Sequence, residues 1–211
     1  MRVAIEYAGR WYGTATVPWL QNHHANIVHS SPLCTFDIFV ALIRDQLCVK
    51  SLIEADRVKD LLSSVFASQN VDQILVQYVH TAHNASRLSM VMRDMVVDRS
   101  HASSWKTANV VAWYRQYWNI AMCEYMRRTS RRAHDLVLRL RADALLQSPE
   151  NVYAFKDIGD SDMYFVRKPR GYSAKGRFSS HANATYWCER VWITRPSGMD
   201  YILNLVRRPT P

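Results

Sequence analysis

"RKPRGYSAKGRFSSHANATYWCERVWIT", Arg167 to Thr194, opens on basic residues, glycine and proline and closes on an aromatic, β-branched run. Such a pattern predicts two strand arms, roughly Met163 to Arg170 and Phe178 to Thr194, around a glycine-containing tip. Five basic residues and no acidic one fall between Met163 and Phe178. A hairpin of this kind cannot bury itself in its own domain, because its arginines and lysines would be desolvated without partners. It has to project into something anionic. Gly171 and Gly176 permit tight turns and close approach to a phosphate chain, and arginine supplies forked donors that suit phosphate geometry. A finger threaded into folded RNA meets these needs, whereas a reader of DNA grooves usually presents a helix.

The charge of the whole chain is divided in the same sense. Residues 1 to 75 carry 6 Lys and Arg against 7 Asp and Glu, whereas residues 76 to 211 carry 21 against 11, so the net +9 belongs to the second part. This asymmetry predicts two regions with different partners, the basic one facing a polyanion. At 211 residues the chain can bury one substantial core, and no apolar run approaches the roughly 20 residues that span a bilayer. Four cysteines lie far apart with no Cys-x-x-Cys pair, which gives a zinc knuckle or redox motif little support.

Working outward, the apolar spacing predicts an order of elements. Residues 1 to 33, broken by Pro18 and Pro32, are expected to be irregular or short strand. From Thr35 to about Phe66 the apolar residues Phe36, Phe39, Val40, Ile43, Leu47, Ile53, Val58, Leu61, Leu62 and Val65 recur at helical steps and predict two helices. Gln73 to His80 alternates as a strand. Helices are expected over Asn84 to Val97, over Ala102 to Tyr114, and over a long stretch from Trp118 to Leu146 that Pro149 stops. "NVYAFK", Asn151 to Lys156, is expected to be a strand. The resulting class is α+β: a small three-helix body packed on an antiparallel sheet, with a long protruding β-hairpin over 163–194 and a mostly helical N-terminal extension.

Three features in order resemble a known family. These are "ASRLSMVMRDMVVDRS" from Ala85, the long basic helix followed by "NVYAFKDIG", and "AKGRF" with "TYWCERVWIT" beyond it. Over residues 76 to about 195 the chain is similar to the large-subunit ribosomal protein twenty-two family, whose members reach into the polypeptide exit tunnel with a β-hairpin. The return arm departs from the family at His181, Asn183, Ala184 and Tyr186-Trp187, and the outgoing arm is about five residues longer. The tip register therefore stays open between Lys168–Gly171 and Ala174–Arg177. Weaker basic patterning points to an organellar, mitochondrial member, with the plastid as the alternative.

The resemblance implies a structural constituent of the large ribosomal subunit in the mitochondrial matrix, without cofactor, catalytic residues, metal or membrane span. Its implied partners are large-subunit rRNA, neighbouring ribosomal proteins and the nascent polypeptide. The expected rRNA-binding residues are Arg87, Arg99, Arg127, Arg128, Arg131, Arg132, Arg167, Lys168, Arg170, Lys175, Arg177 and Arg190. The tunnel tip would comprise Gly171, Tyr172, Ser173, Ala174, Lys175, Gly176, Arg177 and Phe178. Residues 1–75 would form an extension for protein contacts and possible targeting, 76–195 the body, and 196–211 a tail. The rivals are a non-ribosomal organellar RNA-binding or RNA-processing accessory protein, and an enzyme that assembles His23, His24, His80, His83, His101, His134 or His181 with Asp94, Asp135 or Asp157. The chain has no HExxH, GxSxG or glycine-rich phosphate loop to favour the enzyme.

Overall fold

The computed structural model describes residues 1–8, 11, 13–44, 55–80, 119–146, 148–160, 162–165 and 191–199. Their centre is a six-stranded mixed sheet built from β1 (Arg2–Ala8), β2 (Thr35–Arg44), β3 (Val71–His80), β4 (Leu136–Leu140), β5 (Met163–Phe165) and β6 (Val191–Thr194), in the order β3-β2-β1-β4-β6-β5. β1 runs parallel to both β2 and β4, and β2 runs parallel to β3. Only the β4–β6 and β5–β6 pairs are antiparallel. The coarse class is thus α+β, but the antiparallel sheet expected from the sequence is replaced across four strands by a parallel one.

Parallel strands demand cover on both faces, and the side chains supply it. Every side chain of β1 from Val3 to Ala8 is buried. Val3, Ile5 and Tyr7 join Phe36, Ile38, Val40, Leu136 and Leu138 in a core under α1 (Val17–His23), a following π-helical turn (His24–Val28) and α2 (Ala55–Val65). Ala4, Ala8, Phe39, Ala41 and Val137 form the other face, where Ile120, Cys123 and Met126 of α3 (119–129) close over them. Full burial of each large apolar side chain contributes on the order of 2 kcal/mol.

Several expectations are corrected here. Residues 35–44 are a strand, with both faces covered from Phe36 to Leu42. Their apolar residues form a nearly continuous run, within which helical spacing is coincidental. The helix expected beyond them survives as α2. Within residues 1–33 the expected short strand is present as β1, but a helix that was not expected, α1, follows it, with Pro18 in the first turn where its missing N–H costs nothing. Residues 1–75 are accordingly not separate from the body: β1 lies between β2 and β4 in one sheet.

The long helix over 118–146 stops at 129. The chain then turns through Arg131, which sits in the left-handed region at φ 59°, and enters β4. Asn151 to Lys156 is not a strand but a 3-10 turn (Val152–Phe155), capped by the Asn151 side chain, which accepts a hydrogen bond from the Tyr153 N–H. The strand expected at Gln73 to His80 is present and starts two residues earlier. The helices expected over 84–97 and 102–114 lie outside the described residues.

Candidate nucleic-acid interface and buried charge cluster

The two ends of the expected hairpin meet at one edge of the sheet. Met163 pairs with Thr194, Tyr164 with Ile193 and Phe165 with Trp192, all antiparallel. β6 in turn pairs with β4, so β5 and β6 continue the main sheet. Thr194 is fully buried, and its hydroxyl donates to the Asp162 carbonyl at 2.8 Å. Arg195 adds Nε to the Ile158 carbonyl at 2.6 Å and Nη2 to the Lys156 carbonyl at 3.0 Å. Between these anchored ends, residues 166–190 contain six Lys and Arg against a single Glu.

Of the expected RNA-facing residues, Arg87, Arg99, Arg167, Lys168, Arg170, Lys175, Arg177 and Arg190 lie outside the described residues, as does the tip Gly171–Phe178. The described four divide sharply. Arg127 is buried: Nε reaches Glu124 Oε1 at 2.7 Å, Nη2 reaches Oε2 at 2.8 Å, and Glu6 Oε1 is 4.0 Å away. It is therefore corrected from a surface contact to an internal ion pair. Arg128 also bonds Glu124, at 3.1 Å, from a half-exposed position. Arg132 spans Asp37 at 2.9 Å and Asp72 at 3.6 Å. Arg131 is exposed at the end of α3.

Two charged assemblies went unnoticed in the sequence. The first lies at the amino ends of the parallel strands, where Asp37 has no exposed surface and receives Arg2 at 3.2 Å, Arg132 at 2.9 Å and His134 Nε2 at 2.9 Å. Asp72 receives Arg2 at 2.9 Å, and the Asp135 carboxylate accepts the Arg2 backbone N–H at 2.7 Å. Burial pulls the His134 pKa down, partly offset by Asp37, so the ring is a neutral donor. The network ties β1, β2, β3 and the lead into β4 together.

The second assembly lies inside, under α3. Glu6 of β1 stands opposite Arg139 of β4 in register, and Arg139 lies over the Trp192 ring with Cζ 4.3 Å from its centroid. Burial, then the neighbouring Glu124, push the Glu6 carboxyl well above its ordinary range. The Arg127 and Arg128 guanidiniums outweigh burial at Glu124 and hold its carboxyl low. With no exposed surface on either carboxyl, the group acts as a tie between β1, α3 and β4. Arg139 falls within the stretch expected to be long helix, yet it stands on β4 and is 1% exposed.

At the carboxyl ends of the strands, where the strand order reverses between β1 and β4, open α/β sheets commonly hold ligands. Here the Tyr7 hydroxyl donates to His23 Nδ1 at 3.0 Å, and His23 Nε2–H donates to the Ala144 carbonyl at 2.6 Å. Burial lowers the His23 pKa to about 4, against a smaller opposing effect of that carbonyl. The chain Tyr7–His23–Ala144 satisfies itself. His134 faces Asp37 and not Asp135. Among the described residues no group of three His, Cys, Asp or Glu side chains is arranged to hold a metal, and no helix is long and apolar enough to cross a membrane.

No protein-family model matches the chain, and a search of curated proteins finds no relative.

Proposed function

We propose that this chain is a non-catalytic RNA-binding protein that holds folded RNA with the basic segment between β5 and β6. The observation that carries the reading is the antiparallel pairing of Met163–Phe165 with Val191–Thr194. It ties both ends of a segment with six basic residues and one acidic residue to one edge of a packed sheet. A tethered segment spends less conformational entropy on binding than a free tail, and phosphates relieve its self-repulsion. In this reading Arg167, Lys168, Arg170, Lys175, Arg177 and Arg190 contact phosphate, so affinity is broad in sequence and steep in salt.

The narrower form of the proposal is the one the family resemblance implies. The segment would be the protruding hairpin of an organellar large-subunit protein, with Gly171–Phe178 in the exit tunnel and neighbouring ribosomal proteins on residues 1–75. One observation favours the non-ribosomal form instead: β1 is central to the sheet, so residues 76–195 lack the strand that joins β2 to β4.

Salt titration of RNA binding tests the broad reading. Changing Arg167, Lys168, Arg170, Lys175 and Arg177 to Ala together should abolish most affinity, and each lost phosphate contact should reduce the log–log salt slope by about 0.7 on single-stranded RNA. RNA affinity equal to that of the parent chain would sink the proposal. Density-gradient fractionation of organelle lysate separates the two forms. Cosedimentation with the large subunit supports the ribosomal one, and recovery in lighter ribonucleoprotein fractions supports the other.

A further inference from the structure

We propose that β3 is an interface between two copies of this chain, which pair antiparallel about a two-fold axis through Leu75 and join two sheets into one. The inference is independent of the RNA-binding reading. β3 stands at one end of the strand order, and β2 is its only strand partner among the described residues. It is ten residues long and contains no Lys, Arg or Pro, the residues with which edge strands usually discourage pairing. Its bulge falls at the start, where Phe36 pairs with Val71 and Asp37 with Gln73, so the register from Gln73 to His80 is regular.

The strand is also suited to itself. Gln73-Ile74-Leu75-Val76-Gln77 presents the same residue classes read from either end. An axis through Leu75 sets Gln73 opposite Gln77 of the second copy, Ile74 opposite Val76, and Leu75 opposite itself, with no like charges facing. Cross-strand pairs of this kind are the unit of sheet stability, and an isologous patch closes as a dimer without propagating. Ile74, Leu75 and Val76 are only partly buried, with Ile74 and Val76 packed toward one core and Leu75 toward the other. Pairing would cover more of both faces at once.

Charge selects this edge over the opposite one. Residues 55–80 hold two basic and three acidic side chains, whereas the far edge leads into the segment with six basic residues. Two copies meeting at β5 would bring like charge together, and two meeting at β3 would not. With strands about 4.8 Å apart, the dimer would set its two basic segments at opposite ends of a sheet about 50 Å wide.

Sedimentation of the nuclease-treated full chain in high salt tests the idea directly. A species of twice the 24.5 kDa chain mass is expected. Leu75→Cys should form a covalent dimer under mild oxidation, because residues on the axis face each other within disulfide reach, while the parent chain with its four native cysteines serves as the control. Gln73→Lys with Gln77→Lys should give a monomer with an unchanged circular-dichroism spectrum. If the double variant does not fold, the Leu75→Cys crosslink decides. A monomer at the highest attainable concentration overturns the proposal. So does a dimer in which Leu75→Cys fails to crosslink beyond the control.

Discussion

Glu6 on the central strand and Glu124 on the helix above it are both buried, and burial followed by the neighbouring Glu124 raises the Glu6 carboxyl well above its ordinary range. Ionised, Glu6 would have no donor for either oxygen among the described residues. Protonated, it donates to Glu124, whose own charge is balanced by Arg127. Arg139 approaches from β4, and Cys123 from α3 donates its thiol to the Tyr7 and Phe39 carbonyls.

The pair predicts an unusual stabilising substitution. Because the folded pKa of Glu6 lies above its unfolded value, its contribution is full below the ordinary carboxyl range and declines as pH rises toward the folded pKa. The decline is about 1.4 kcal/mol per pH unit between the unfolded and the folded pKa, where only the folded state keeps the proton. Glu6→Gln keeps a neutral donor and removes the dependence. Its Tm should match the parent near pH 4 and exceed it at pH 8, and a lower Tm at both would refute the raised Glu6 pKa.

Glu124→Gln acts in the opposite direction. It leaves the buried Arg127 guanidinium without its carboxylate, which costs on the order of 3 kcal/mol. Urea denaturation should show a lower midpoint with an unchanged slope. A midpoint equal to the parent's would mean the pair is not needed to hold α3 on the sheet.

Acid should weaken the fold through His23. Its folded pKa of about 4 lies below the ordinary 6.5, so its contribution is present above pH 6.5 and is lost as pH falls toward 4. The loss amounts to about 3 kcal/mol. His23→Gln retains polar groups for Tyr7 and Ala144 but does not titrate, so comparison of the two pH–stability curves should isolate this segment. Parallel curves between pH 6.5 and 4 would exclude His23 as the cause.

Asp37→Asn should loosen the amino end of the sheet by roughly 3 kcal/mol, since Arg2, Arg132 and His134 all converge on one fully buried carboxylate. Amide exchange should accelerate at β2 and at the start of β4 more than in α2. Uniform acceleration would indicate a global rather than a local loss.

Gly198→Ala should destabilise by about 1–3 kcal/mol, because a Cβ there would run into the buried Thr194 side chain. Thr194→Ala in the same chain should recover part of the loss by removing the hydroxyl that the Cβ meets, although it also gives up the bond to the Asp162 carbonyl. No recovery would place the strain elsewhere.

The sequence by itself determined what depends on local order: the charge asymmetry, the alternating strand from Gln73 to His80, the helix that survives as Ala55–Val65, and strand at the outer ends of the expected arms, Met163–Phe165 and Val191–Thr194. Only the tertiary structure decided β2 and β4. A strand covered on both faces loses its alternation, so "TFDIFVALIR" and "LVLRL" look as much like helix as strand until neighbours lie on each side. It also decided which arginines remain outside. Arg127 and Arg128 are adjacent in the chain, yet one is buried on Glu124 and the other is half-exposed, because the helix turns about 100° per residue and only the packed face meets Glu6. Charge can be counted along a chain, but which of two neighbouring arginines is buried was set here by packing against β1, whose Glu6 lies over a hundred positions from Arg127.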